Sequence, residues 1–222
     1  MALIKPGDSL AVVFDDTLYT AVKLYADPAT KSLSAKIEKE RDALEDKAKA
    51  RLKASEAVVR MEALADYAYE EAGRKLVLFE KAVDHVHAED PVAYAAYFPL
   101  TPSQMVKAPI VRRAQVFAPL VKKCKATAAG KAPLAADAKA WLALWQGYVG
   151  AAAAQEKAEE DEAAADKAVQ QQKVRCCVAM REAHGRLEAS FPDSRTRVES
   201  FFRKRKKAAK KSAAAAAAAA AQ

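Results

Sequence analysis

The chain has 222 residues and a formal net charge of +8. Alanine makes up 55 of them, against 6 glycines and 9 prolines. That composition excludes collagen, β-sandwiches and glycine-rich folds and favours long helices. The glycines at 7, 73, 130, 147, 150 and 185 form no dinucleotide-binding, phosphate-loop or nucleophile-elbow pattern.

Residues 1–27 form a short segment that packs on the rest. It reads as an extended piece, Leu10 to Phe14, followed by a helix carrying Leu18, Val22 and Tyr25 at spacings of four and three. The start lacks a charged region followed by a long apolar core, so it does not read as a signal peptide.

Six of the nine prolines crowd into residues 91–133, and none lies in 29–90 or 134–191. Proline is tolerated at a helix start and breaks a helix interior. Residues 28–192 therefore read as two proline-free arms, 28–90 and 133–191, joined by a broken capping segment, 91–132. The first arm opens with Asp27 as a cap before Pro28. Fully helical, it would extend about 93 Å at 1.5 Å per residue. The predicted fold is all-α: an elongated antiparallel helical hairpin or bundle with short capping helices and a basic C-terminal tail.

Setting Ala88 opposite Leu134 brings the apolar end of arm one, with Phe79, against Trp141, Trp145 and Tyr148. It also sets Gly73 opposite Gly147 and Gly150, where the arms either approach closely or break. Farther out, 13 of the 21 residues from Lys36 to Glu56 are charged, and only Ile37, Leu44 and Leu52 are large and apolar. A helix this polar packs through one narrow seam or bridges solvent. The core is therefore expected at the tryptophan-rich end, with a thin region around Leu44.

The capping segment reads as short helices. One starts at Pro91. Thr101 and Gln104 form a capping box before the next. Pro109 opens a longer helix holding Ile110, Val111, Phe117 and Leu120, with Pro119 inside it.

Residues 193–222 read as a basic amphipathic and poly-alanine tail. Thr196 and Glu199 suggest a second capping box. Val198, Phe201 and Phe202 recur at helical spacing just before Arg203, Lys204, Arg205, Lys206, Lys207, Lys210 and Lys211. These seven cations account for nearly all of the net charge and form the candidate anion-binding site. Nucleic-acid phosphates attract such a run without sequence preference. Anionic lipid headgroups do the same, with Val198, Phe201 and Phe202 as an apolar edge. The Lys-Lys-Ala-Ala-Lys-Lys run from Lys206 to Lys211 resembles the tails of linker-histone-like proteins, which implies an anionic partner.

Other constellations favour plain structural roles. Asp84 and His87 stand three apart, but the chain has no Glu-x-x-His, so a di-iron site is not expected. Cys124, Cys176 and Cys177 lack metal or redox spacing and read as buried, reduced thiols. Trp141 and Trp145 read as core. The acidic stretch from Glu156 to Asp166 reads as a solvated face.

Together these features predict a non-enzymatic, intracellular, soluble helical scaffold or interaction module. Its partner would be itself or another helical protein, with the tail as a tether to nucleic acid or an anionic membrane. Neither cofactor, metal nor small-molecule substrate is expected. The alternative is a sequence-independent nucleic-acid-binding protein acting mainly through the tail.

Overall fold

The structure is a computed structural model that describes residues 3–130 and 133–204. Among the described residues it has seven helices and no strand. They are α1 (Leu10–Ala26), α2 (Lys31–Val86), α3 (Pro91–Ala95), α4 (Pro102–Val106), α5 (Ile110–Ala128), α6 (Ala135–Ser190) and α7 (Arg195–Ser200). The fold is all-α, and the two long helices α2 and α6 pack against each other as a hairpin.

Local chemistry sets the helix ends. Ser9 caps α1, its hydroxyl accepting from the Val12 amide at 3.3 Å. The stretch Leu10 to Phe14, predicted as extended, is the first part of α1. Its apolar residues recur at helical spacing, and the Ser9 cap starts the turn before they can form a strand. Asp27 ends α1 rather than starting α2. Its carboxylate accepts from the Ala29 amide at 3.0 Å, holding the turn from which α2 departs at Lys31. Thr101 and Gln104 form the predicted capping box on α4. Thr196 and Glu199 form none. Glu199 instead accepts from the Arg195 guanidinium at 3.1 Å, and Ser194 occupies the cap position of α7.

Gly73, Gly147 and Gly150 interrupt neither long helix. A glycine costs about 1 kcal/mol in a helix interior, which the surrounding alanines, leucines and charged residues can absorb over 56 residues. Nor do these glycines face one another. A Cβ built on Gly73 would meet the Val106 side chain of α4 at 3.4 Å, whereas one on Gly147 or Gly150 would meet nothing within 4 Å. The close approach at Gly73 is thus between α2 and α4.

Contacts divide the described residues into two units, one formed by residues 3–52 with 164–204, the other by residues 53–130 with 133–163. In the first unit α2 and α6 run antiparallel. Lys36 pairs with Glu182, and Arg51 with Asp166. The Gln172 amide donates to the Glu40 carbonyl at 3.0 Å and to its carboxylate at 2.7 Å. The register with Ala88 opposite Leu134 would set Lys36 against Arg186, a like-charge pairing. The observed register replaces that repulsion with an ion pair.

The core of this unit contains Leu24, Ile37, Leu44, Val169, Met180 and Leu187. Leu44 is fully buried, so the region expected to be thin has a core of its own. Its apolar side chains come from α2 and α6 and also from outside the arms. Ile4, Val13 and Leu24 arrive from the N-terminal segment and α1, and Val198, Phe201 and Phe202 from α7 and the residues after it.

The second unit has the expected tryptophan-rich core. Trp141 and Phe79 are fully buried and Trp145 nearly so. Phe117 of α5 stacks on Trp145 with centroids 4.3 Å apart, and Trp145 lies 5.8 Å from Trp141. Stacked aromatic pairs add about 0.5–1.5 kcal/mol beyond their buried area. The Tyr69 hydroxyl donates to the Val106 carbonyl at 3.0 Å, tying α4 to α2.

Candidate functional site

The basic run is described only at its beginning. Arg203 and Lys204 lie within the described residues; Arg205, Lys206, Lys207, Lys210 and Lys211 lie outside them. Arg203 is not an open anion site. Its guanidinium donates to Asp15 of α1 at 2.9 Å and lies 4.0 Å from Asp16. Lys204 is exposed.

The proposed apolar edge of the tail is internal. Val198, Phe201 and Phe202 are buried in the core of the first unit, and the Phe202 ring lies 5.3 Å from that of His184. Three large apolar side chains at helical spacing fit a protein core as well as a lipid surface, and here α6 supplies the core. Arg197 reinforces the docking by donating to Asp27 at 2.9 Å. That bond, with the Ala29 amide, holds the Asp27 carboxyl below its ordinary value of 3.8.

α1 presents a second candidate. Its inner face buries Val13, Thr17, Thr20, Ala21 and Leu24. Its outer face carries Leu18, Val22 and Tyr25, which are 45%, 57% and 57% exposed. Lys31 sits over the Tyr25 ring at 4.5 Å and Lys23 over Tyr19 at 5.8 Å, so the aromatic rings are held by cations at the stripe's edge. Sequence spacing identified Leu18, Val22 and Tyr25 as a helical stripe without indicating which way it faces.

Two clefts accompany these surfaces. One, of about 530 Å³, lies in the first unit against Leu3, His184, Glu188, Phe191, Arg195 and Val198. His184 Nδ1 is 3.4 Å from a Glu188 carboxylate oxygen. The other, of about 640 Å³, lies in the second unit between α2 and α4, over Gly73, Val77, Pro102 and Val106.

The cysteines are buried thiols. Burial pushes Cys124 up to about 12. Burial, then the nearby Glu40 and Cys177, does the same for Cys176. A thiol so shifted is a poor nucleophile near neutral pH. Among the described residues no three His, Cys, Asp or Glu side chains gather as a metal site would require. The acidic stretch is largely exposed, with Asp166 paired to Arg51.

One charged segment escaped sequence reasoning. Residues 91–136 contain Lys107, Arg112, Arg113, Lys122, Lys123, Lys125 and Lys131, and no acid. Subtracting the tail from the total charge left a near-zero balance, which concealed this segment against acidic stretches elsewhere. A running charge count along the chain would have found it. Comparison of the chain with protein-family models, curated proteins and solved structures finds no match.

Proposed function

We propose that the protein is a non-enzymatic helical interaction module that self-associates through α1. The observation that supports this is that α1 is apolar on two faces. An exposed apolar stripe bordered by charged residues such as Asp15 and Lys23 marks an interaction surface. One face of α1 is buried in its own chain, while Leu18, Val22 and Tyr25 remain exposed on the other.

A second copy fits this stripe by symmetry. Antiparallel pairing about Thr20 sets Leu18 of one copy against Val22 of the other and Asp15 near Tyr25. Such a two-fold contact is isologous, using the same patch on both chains. The basic run, from Lys204 onward, serves as a tether to an anionic partner; Arg203 is excluded from that role by its pairing with Asp15. Light scattering coupled to size-exclusion chromatography tests the reading. The native chain should elute as a dimer, and Val22→Glu should elute as a monomer with unchanged helicity.

A further inference from the structure

We propose that the outer face of α5 docks on an anionic phospholipid surface. The proposal is independent of α1 and of the basic run after Arg203. It rests on three observations within the second unit.

The first is an acid-free stretch of exposed cations. On α5, Val111, Gln115, Ala118, Lys122 and Lys125 recur at helical spacing and are exposed, opposite the buried Phe117, Leu120 and Cys124. Arg112 flanks this face, and Lys107 precedes the helix. None of Lys107, Arg112, Lys122 and Lys125 has an ion-pair partner among the described residues. Several acids of the same unit are engaged elsewhere. Asp137 meets Lys75, Glu71 meets Arg74, and Glu80 accepts from Tyr94. The other two described cations of the segment are held against rings: Arg113 lies 3.6 Å from the Tyr69 centroid, and Lys123 lies 5.0 Å from that of Tyr97.

The second observation decides between anions. Val111 is 89% exposed and its neighbour Ile110 is 70% exposed. Nucleic-acid phosphates offer such aliphatic groups nothing. A bilayer interface accepts both features, headgroup phosphates for the cations and the acyl boundary for Ile110 and Val111.

The third is a cavity of about 230 Å³ between α5 and α6. Val121, Leu142, Trp145 and Val149 line it together with Gln146 and Lys125. Apolar walls beside a cation match the junction of an acyl chain with its phosphate. No helix among the described residues is long and apolar enough to cross a membrane, so this contact lies along the surface.

The test uses the full chain carrying Lys204→Gln, Arg205→Gln, Lys206→Gln, Lys207→Gln, Lys210→Gln and Lys211→Gln, which leaves of the basic run only Arg203, paired with Asp15. This protein should cosediment with vesicles of phosphatidylserine and phosphatidylcholine, and not with phosphatidylcholine alone. Adding Arg112→Gln, Lys122→Gln and Lys125→Gln should weaken binding by about a hundredfold, from the usual attraction per cation near an anionic surface. Adding Val111→Asn alone should also weaken vesicle binding, without changing its salt dependence. Unchanged vesicle binding in both variants overturns the proposal, as does a loss confined to binding of a labelled DNA duplex.

Discussion

Arg203 Nη1 stands 2.9 Å from Asp15 Oδ2, joining the first cation of the basic run to the first helix of the chain. Just before it, Phe201 and Phe202 are buried in the same unit. The ordered body therefore continues past Pro192, and its C-terminal residues support the stability of α1.

A chain ending at Phe191 should be destabilised, because it loses Val198, Phe201 and Phe202 from the core. A chain ending at Lys204 keeps these side chains and should be more stable than the one ending at Phe191. Phe202→Ala should cost about 3–5 kcal/mol. Arg203→Ala should cost less than about 1 kcal/mol, since its ion pair is exposed. Urea unfolding followed by circular dichroism measures all four, and equal stability of the two truncated chains would contradict this placement.

Leu44 and Trp145 lie in different units, and truncating either should be costly. Leu44→Ala should lose about 2–5 kcal/mol and Trp145→Ala about 3–5 kcal/mol. Denaturant midpoints of the two variants, each against the native chain, test this. A near-neutral Leu44→Ala would mean that the core of the first unit is not packed around that side chain.

Much of the fold is legible in the proline pattern, and less in the charge pattern. Proline-free arms, the Thr101–Gln104 cap and the tryptophan core all follow from local rules and from apolar density. The core that includes Leu44 does not, because it draws on side chains more than a hundred residues away in sequence, such as Met180, Leu187 and Phe201. Leu18, Val22 and Tyr25 show the opposite limit. Their spacing predicts an amphipathic helix, but it does not say which of two apolar faces turns inward. Residues 13, 17, 20, 21 and 24 face inward although Thr20 carries a buried hydroxyl with no hydrogen-bond partner among the described residues; Thr17 and Thr30 satisfy theirs locally. Thr17 donates to the Val13 carbonyl at 2.7 Å and Thr30, just beyond α1, to that of Leu24 at 2.9 Å.

The buried thiols give a pH dependence with a definite sign. Cys124 and Cys176 are raised from 9.0 to about 12 in the folded chain. Between those values the folded state holds protons that the unfolded state has released, so stability falls as pH rises. Stability attributable to these thiols is fully present below about 9 and declines as the pH climbs towards 12. Urea midpoints under reducing conditions, on either side of that onset, should show a larger alkaline loss in the native chain than in Cys124→Ala/Cys176→Ala. Equal losses would mean that the thiols are not sequestered as described.

Self-association through α1 is tested most directly by the solution mass of the intact chain. At micromolar concentration, light scattering should give twice the 24.0 kDa chain mass, and Val22→Glu should give a single chain mass with the same helicity. A native chain that stays at 24.0 kDa, or a Val22→Glu variant that stays dimeric, would contradict the account.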